Sequence, residues 1–359
     1  MEKNNDAAKT PKESGSLSLH HALSLFPEKK QQHKLPALDF LGIPGIEYLG
    51  KQRLAAVFYG GGDGEKPGNY ILWRESNDGG QSWSEAIPAA IPLDPDGQRL
   101  FDPCLWMAPD QRLWLFFASA YGLVENCAVM AASAAPPYKS WHLHKNIAPG
   151  VMMNKPIVLA DGSWALPVSR WASMSLQENL PVGSSIFISK DNGESFEYRG
   201  TAETPPCSCN ENQLLQKNDK SLWMLSRNQP QLAENFSFDL GSSWTEPAYS
   251  ALHGVDARFA LRRLASGRVL LVNHGPVPEG EARRANMTCA LSEDDAQTWK
   301  WSLLIDPRAE ISYPDFCQDE EGYIHLIYDR DRYGDKKLVL CKFSEADIMA
   351  GKQPELLEI

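Results

Sequence analysis

The chain has 359 residues and a mass of 40.0 kDa, enough for two average domains or one large all-β domain. Hydrophobic residues make up 43% and charged residues 23%, which excludes a disordered, collagen-like or coiled-coil chain. The formal charge is −11 and there is no long Lys/Arg block, so nucleic acid and anionic membranes are not expected partners. A few local arginines are still sufficient to hold a small anionic ligand.

The first 35 residues are polar and charged, and we expect a tail or docked arm over 1–35 followed by one domain over 36–359. The N-terminal segment has no continuous apolar core and no small-residue cleavage site, so no secretory signal is predicted. The seven cysteines show neither zinc-finger nor thioredoxin spacing. We therefore predict a cytoplasmic protein, with a mature secreted or periplasmic form as the alternative. The oligomeric state has no signal in the sequence.

From residue 40 to residue 340 the chain is built of short apolar runs separated by turn residues, such as RLAAVFYGG, RLWLFFASA and RVLLVNHG. The best candidate for a helix is short and spans 343–350. Many short strands with regularly spaced turns indicate an all-β sandwich, barrel or propeller.

A repeated turn motif decides among these. The pattern S-x-D-x-G-x-x-W occurs over 76–83, 189–196 (with Phe last), 237–244 and 292–299 (with Ala for Gly), and a degenerate copy covers 133–141. The Asp side chain can bond backbone N–H groups, Gly tolerates positive φ, and the aromatic ring packs inward. These residues suit a tight turn between two strands.

The spacing of the motif predicts a propeller. The opening serines Ser76, Ser133, Ser189, Ser237 and Ser292 are 57, 56, 48 and 55 residues apart, the length of one four-stranded antiparallel blade. Ser344 lies 52 residues further and marks a last blade. We predict six blades, or seven if residues 25–45 contribute more than a closing strand.

These turns resemble the Asp-boxes of the sialidase and BNR-repeat proteins, and the resemblance, closest to the bacterial sialidase-like branch, extends from about residue 38 to residue 345. It implies a funnel in which three arginines clamp a substrate carboxylate. A Tyr assisted by a Glu is the nucleophile, and an Asp on a mobile loop is the acid/base. The Asp-box aspartates themselves are expected to be structural.

Two segments resemble the arginine-bearing motifs of that family. The stretch NENQLL (210–215) followed by SLWMLSR (221–227) implies that Glu211 activates the tyrosine and that Arg227 is a clamp residue. The stretch RRANMTCALS (283–292) implies Arg284 as a second clamp residue, with Arg283 facing solvent. A guanidinium fork suits a carboxylate because it bonds both oxygens at once.

The nucleophile and the acid/base are implied in the same way. Tyr313, in ISYPDF (311–316), lies where the family carries its nucleophile, although Tyr-Pro replaces the usual Tyr-Ser and is expected to alter the backbone there. Asp63, in GGGDGE (60–65), lies roughly where the acid/base is expected, on a loop whose glycines allow closure over a ligand. Asp102, in RLFDP (99–103), is the competing carboxylate, or a substrate-binding residue.

The sequence departs from the family at the first clamp arginine. The family opens with F/Y-R-I-P, whereas this chain has LGIP (41–44), with Gly42 where Arg belongs. Arg53, Arg74 or Arg99 would have to substitute. The departure weakens sialic acid as the substrate and makes a uronic acid or another terminal sugar a competitor.

Four further residues are predicted to face the funnel. Asn154 and Lys155 in MMNKPI (152–157) and Arg258 in DARF (256–259) stand at the starts of predicted innermost strands, where they bind sugar groups or link neighbouring blades. His274 ends a strand and is an alternative acid/base for a lyase.

The predicted protein is thus a sialidase-like exo-glycoside hydrolase acting on a terminal, anionic sugar of a glycan. The alternatives are a polysaccharide lyase or other glycosidase on the same propeller, or a non-catalytic carbohydrate-binding propeller. No histidine shows a metal-ligand spacing and no nucleotide motif is present, so neither a metal nor another cofactor is expected.

Overall fold

The computed structural model describes residues 21–32, 35–174, 180–281 and 283–359. Its strands form six antiparallel sheets, each built from strands consecutive along the chain, and the sheets are the blades of a six-bladed β-propeller. The prediction of six four-stranded blades is confirmed. No helix in the described ranges is long and apolar enough to cross a membrane.

Each blade runs from its innermost strand outward. Blade 1 contains β2 (Leu41–Gly50), β3 (Arg53–Gly60), β4 (Tyr70–Ser76) and β5 (Ile87–Pro92). Blade 2 contains β6 (Gln98–Met107), β7 (Leu113–Tyr121), β8 (Glu125–Ala134) and β9 (Trp141–Pro149). Blade 3 contains β10 (Ile157–Val158), β11 (Trp164–Arg170), β12 (Gly183–Ser189) and β13 (Glu197–Ala202).

The remaining three blades follow the same order. Blade 4 contains β14 (Asn212–Gln216), β15 (Leu222–Ser226), β16 (Gln231–Ser237) and β17 (Ala248–His253). Blade 5 contains β18 (Ala260–Arg263), β19 (Val269–His274), β20 (Ala285–Ser292) and β21 (Trp301–Ala309). Blade 6 contains β22 (Ile311–Gln318), β23 (Ile324–Arg330), β24 (Lys337–Phe343) and β25 (Leu357–Glu358).

The predicted arm is described from residue 21 onward, while residues 1–20 lie outside the described part. Strand β1 (Leu23–Leu25) pairs with β5 as a fifth strand of blade 1 and is followed by the short helix α1 (Lys29–Gln32). The His21 imidazole bonds the Ser119 hydroxyl of blade 2 at 2.8 Å. The described part of the arm is therefore docked on blades 1 and 2.

The Asp-box turns join the third and fourth strands of blades 1, 3, 4 and 5. In blade 1 the Asp78 carboxylate accepts from the Ser82 hydroxyl, from the Ser82 amide at 2.9 Å and from the Ser76 hydroxyl at 2.8 Å. These bonds, repeated in the other three boxes, lower the pKa of each Asp-box aspartate to about 2. The Asp-box aspartates thus have a structural role in the turns, as the resemblance implied.

The glycine of the box also packs the blades together. A Cβ on Gly193 would lie 2.4 Å from the Trp114 ring of blade 2, and one on Gly241 would lie 2.0 Å from Ile186 of blade 3. The boxes of blades 3 and 4 can therefore approach the preceding blade only because these glycines have no side chain. In blade 6 the same connection is the helix α2 (Glu345–Ala350), capped by Ser344, in the segment predicted to be helical.

The ring closes between the first and last blades without a shared strand. The Asp329 carboxylate of blade 6 accepts from the Ile43 amide of blade 1 at 2.7 Å, and Asp315 accepts from the Ile46 amide at 2.9 Å. Both carboxylates are buried. The innermost strands β2 and β22 are thereby held together where the candidate site lies.

Candidate active site

Three innermost strands contain the same backbone irregularity. The pairing register shifts between Gly42 and Gly45 in β2, between Phe101 and Cys104 in β6, and between Ser312 and Asp315 in β22. At each bulge a residue with positive φ precedes a proline, and these residues are Ile43 (φ 55°), Asp102 (φ 52°) and Tyr313 (φ 57°). A positive φ is costly for a side chain of this size, so the surrounding structure must impose it. The Tyr-Pro of this chain is therefore one of three bulges in which a residue with positive φ precedes a proline.

Tyr313 and Glu211 form a buried pair at the bulge of blade 6. The Tyr313 hydroxyl donates to Glu211 Oε1 at 3.4 Å, and the two residues are 5% and 1% exposed. Burial, reinforced by the Glu211 charge, raises the pKa of Tyr313, so the phenol is neutral at neutral pH. Glu211 Oε2 has no hydrogen-bond partner among the described residues, which leaves it free to accept a proton.

Three guanidinium groups surround this pair. Arg227 donates to the Glu211 carboxylate and lies 3.4 Å from the Tyr313 hydroxyl. The guanidinium carbons of Arg284 and Arg332 lie 5.2 Å and 5.1 Å from the centre of the Tyr313 ring. All three charges act to lower the pKa of Tyr313, against the effects of burial and of Glu211.

Arg332 was not predicted from the sequence, and it stands in front of Gly42. A Cβ built on Gly42 would lie 2.3 Å from Arg332 Cδ and 2.9 Å from an oxygen of Asp329. The space beside residue 42 is thus taken by an arginine that comes from blade 6 instead of blade 1. Burial acts to lower the pKa of Arg332, but the negative charge of Asp329 and weaker contributions from Tyr313 and Glu65 outweigh it, so the pKa is raised and the guanidinium stays charged. Only the combination of Gly42 with Arg332 could have indicated this arrangement from the sequence. The two residues are 290 positions apart, and no local motif connects them.

A cleft of about 450 Å³ lies between blades 5 and 6 and is lined in part by Asp256, Arg284, Ser312 and Arg332. The Asp256 carboxylate pairs with Arg227, while its backbone carbonyl accepts from Arg284. Asp256 is half-exposed, so a residue at the rim of the cleft contacts two of the three arginines.

The carboxylates predicted as acid/base lie in different surroundings. Asp63 is on the loop between β3 and β4, is mostly exposed and pairs with Lys66. Asp102 is 2% exposed, and burial together with the nearby Glu65 raises its pKa well above the usual range. Glu65, two residues after Asp63, pairs with Arg332 at 2.9 Å. The acid/base role of Asp63 stays a prediction, because its carboxylate is outside the cluster around Tyr313.

Asn154, Lys155 and Arg258 are buried and link blades below the cluster. Arg258 donates to the carbonyls of Met153, Pro44 and Tyr313 at 2.8, 2.7 and 2.9 Å, and these belong to blades 3, 1 and 6. Because it holds the carbonyl of the tyrosine itself, Arg258 fixes the position of the bulge.

The other two members of this group also contact protein groups of neighbouring blades. Lys155 pairs with Glu47 at 2.8 Å and with Asp315 at 3.3 Å, and it bonds a carbonyl of β2 as well. Asn154 donates to the Asn212 carbonyl at 2.8 Å. Their predicted contact with a sugar stays a prediction, since the observed partners are protein groups.

The remaining candidates are placed as follows. His274 is 2% exposed, its Nε2 lies 2.9 Å from the Ile311 carbonyl, and burial lowers its pKa to about 4. Arg53 pairs with Glu75 within blade 1, and Arg74 lies on β4. Arg99 is buried beside the Tyr59 hydroxyl at 3.4 Å.

No metal centre is formed by the described residues, in which no group of three His, Cys, Asp or Glu side chains could hold an ion. Another depression, of about 470 Å³, lies between the blade 1 Asp-box and blade 6 and is lined in part by Asp78, His325 and Lys342. It contains none of the predicted site residues. Of the predicted site residues, Glu211, Arg227, Arg284 and Arg258 are the ones for which the described structure shows a contact with Tyr313.

Six four-stranded blades with Asp-box turns define the class as a propeller of the sialidase type. The BNR repeat-like domain model matches residues 52–326, about three quarters of the chain. The protein therefore belongs to the BNR repeat-like family, within the sialidase/BNR-repeat superfamily.

Solved structures show the same fold at low sequence identity. The NanB sialidase from Streptococcus pneumoniae is 12% identical with a TM-score of 0.67, covering 87% of this chain and 69% of NanB. The intramolecular trans-sialidase from Ruminococcus gnavus is 13% identical with a TM-score of 0.65, covering 86% and 95%. A protein of unknown function from Dyadobacter fermentans is 15% identical with a TM-score of 0.65, covering 84% and 93%. A comparison with curated proteins finds none that matches.

Proposed function

We propose that the protein is an exo-acting glycoside hydrolase that removes a terminal sugar carrying a carboxylate, of the sialic-acid or uronic-acid type. The observation that carries the proposal is the cluster of Tyr313 with Glu211 and three arginines. Three guanidinium groups around one buried phenol could bind a substrate carboxylate next to the nucleophile. The structural neighbours named as sialidases are consistent with this class of reaction.

Arg332 could replace the clamp arginine that is missing at position 42. With Arg227 and Arg284 it gives three arginines around Tyr313, although the third comes from a different blade than the resemblance implies. A clamp of three guanidinium groups favours a substrate carboxylate over a neutral group, because charge-assisted hydrogen bonds are about twice as strong as neutral ones.

The proposed reaction begins with attack of the Tyr313 oxygen on the anomeric carbon. The phenol proton passes to Glu211 as the new carbon–oxygen bond forms. At the same time the bond from the anomeric carbon to the leaving oxygen breaks, and that oxygen receives a proton from an acid. Water then displaces Tyr313 from the glycosyl-enzyme, so the configuration of the sugar is retained. A neutral nucleophile suits an anionic sugar, which would repel a carboxylate.

An exo mode is part of the proposal because Tyr313 is only 5% exposed and lies beside a cleft of about 450 Å³, whose lining residues Arg284 and Arg332 also lie over its ring. A terminal sugar suits such a site, whereas the interior of a polysaccharide would need an open groove.

The test is turnover of a fluorogenic sialoside, a set of fluorogenic glycuronides and a set of neutral glycosides by wild type and Tyr313→Phe. We expect turnover of one anionic class, lost in the variant by at least about 100-fold. Tyr249→Phe, at a half-exposed tyrosine of β17, is the matched control and should keep wild-type rates.

The other outcomes separate the alternatives. Turnover of neutral glycosides alone would discard the anionic substrate. An ultraviolet-absorbing unsaturated product would show a lyase. Binding of sugars without turnover by wild type would show a carbohydrate-binding propeller.

A further inference from the structure

Two carboxylates of the protein occupy the guanidinium of Arg227. One terminal nitrogen donates to Glu211, and the other donates to Asp256. A guanidinium holds a carboxylate bidentately through two of its three nitrogens, and every such pair includes a terminal nitrogen. A substrate carboxylate can therefore bond Arg227 in this way only if one of the two resident carboxylates leaves.

The two resident carboxylates differ in how readily they can leave. Glu211 is 1% exposed and also accepts from the Tyr313 hydroxyl at 3.4 Å, so it is held inside the site. The Asp256 side chain is 54% exposed and lines the cleft of about 450 Å³. When this side chain turns away from Arg227, its charge moves into water, so no charge is left buried without a partner. Asp256 is thus the exchangeable partner of Arg227.

Arg332 is in a different position. Its ion pair with Glu65 at 2.9 Å uses one terminal nitrogen, so a substrate carboxylate does not have to displace Glu65. Glu65 also lies 4.0 Å from a guanidinium nitrogen of Arg99 and is held by two cations. The exchange is therefore a property of Asp256 and Arg227.

The backbone around Asp256 is fixed while its side chain is free to turn. Arg258, two residues further along, donates to three backbone carbonyls at 2.7–2.9 Å. The carbonyl of Asp256 itself accepts from Arg284, which pairs with no carboxylate in the described part of the chain. An anion in the cleft thus meets one arginine without a carboxylate partner beside an arginine whose partner can be exchanged.

We propose that Asp256 is a specificity-determining residue whose carboxylate occupies Arg227 until the carboxylate of the terminal sugar displaces it; this rests on the proposed function. The sugar carboxylate pairs first with Arg284, and Asp256 then turns from Arg227 into solvent. One carboxylate replaces another, so the net gain in affinity at Arg227 is small in wild type. Asp256 thereby lowers the preference of the site for an anionic sugar over a neutral one.

The experiment measures the dissociation constants of glucuronic acid, of N-acetylneuraminic acid and of their methyl esters by titration calorimetry at neutral pH. Asp256→Asn keeps the backbone carbonyl that holds Arg284, so it tests the side chain alone. In this variant the sugar carboxylate replaces a neutral amide oxygen, which is the weaker acceptor. We expect the dissociation constant of at least one free acid to fall by about 10-fold, and that of its ester to change by less than about 2-fold.

Glu310→Gln is the matched control, because it removes the same charge from an exposed residue that lines the same cleft. Its dissociation constants should stay within about 2-fold of wild type, since water and salt screen an exposed charge. The proposal is overturned if Asp256→Asn binds neither acid more tightly than wild type does, which includes the case in which it binds neither. It is also overturned if the ester or Glu310→Gln shows the same gain, because the local exchange would then not be its cause.

A second measurement uses wild type and does not depend on the variant. In a crystal structure of its complex with the acid that binds, the sugar carboxylate should lie on Arg227 and the Asp256 side chain should point into solvent. An intact ion pair between Asp256 and Arg227 in that complex would overturn the proposal. Neither measurement needs turnover. If wild type cleaves no glycoside while Asp256→Asn gains affinity for a free acid, the proposed function fails and the exchange at Arg227 stands.

Discussion

Removing the guanidinium of Arg332 tests the third arm of the proposed clamp. Its side chain is 12% exposed, pairs with Glu65 at 2.9 Å and lies over the Tyr313 ring. In Arg332→Gln the volume and the polarity of the side chain are largely kept, whereas the charge and the planar fork are lost. The variant therefore changes the property that a carboxylate would recognise.

The magnitude follows from the bond that is lost. A hydrogen bond to a charged group contributes about 1.5–3 kcal/mol, and about 1.4 kcal/mol corresponds to a tenfold change. We expect kcat/KM for an anionic glycoside to fall by roughly 10- to 150-fold. Arg332→Lys should lie between wild type and Arg332→Gln, because it keeps the charge but not the fork.

The same change affects stability through Asp329. This fully buried carboxylate keeps bonds from the Ile43 amide at 2.7 Å and the Ser312 hydroxyl at 2.7 Å after its cationic neighbour is removed. Burial already raises its pKa and Arg332 acts to lower it, so without Arg332 the pKa of Asp329 is expected to rise further. We expect the free energy of unfolding to fall by about 1–3 kcal/mol.

The assay compares kcat/KM for an anionic and a neutral glycoside with the same aglycone, beside the unfolding free energy from urea titration. Arg199→Gln is the matched control, because this exposed arginine of β13 donates to the carbonyls of Leu240 and Asp239 and does not line the cleft. The reasoning is refuted if Arg332→Gln leaves the anionic rate unchanged. It is also refuted if the rates on both substrates fall equally, since the loss would then reflect folding.

Three further predictions follow from the structure. Gly42→Ala places a Cβ 2.3 Å from Arg332 Cδ and should lower the anionic kcat/KM toward that of Arg332→Gln, while Gly64→Ala, whose nearest neighbour is 3.7 Å away, should not. Ala296→Gly should raise the free energy of unfolding, measured in urea, by about 1 kcal/mol, because this box residue has φ 62°. Asp78 has a folded pKa of about 2 against 3.8, so its stabilisation is complete above pH 3.8 and is lost as the pH falls to about 2. Between pH 3.8 and about pH 2, the melting temperature should therefore fall less in Asp78→Asn than in wild type.

Each of these has an outcome that contradicts it. Equal rates in Gly42→Ala and wild type would show that Arg332 can move without loss of function. A less stable Ala296→Gly would show that the left-handed turn costs alanine little. The same acid-dependent loss of melting temperature in Asp78→Asn would place the responsible carboxyls elsewhere.

The repeat made the fold predictable because its information is local. Each Asp-box contains its own hydrogen-bond donors, its acceptor and its φ-permissive residue within eight positions, so its spacing counts the blades directly. The helix at 343–350 was predictable for the same reason, since Ser344 caps it from the adjacent position. Tyr313, Glu211, Arg227 and Arg284 were located by short motifs, and the structure brings them together.

The sequence by itself determined the blades and their order, and it located Tyr313 and Glu211, because these features are carried by short motifs of neighbouring residues along the chain. Only the tertiary structure decided which arginine stands in front of Gly42, since closure of the ring brings Arg332 there from the far end of the chain. It also decided the surroundings of the candidate carboxyls. The pKa of Asp102 is raised by burial and by the charge of Glu65, and both effects depend on blades 1 and 2 packing side by side. Charge environments of this kind arise from distances across the ring, and no pattern along the chain encodes them.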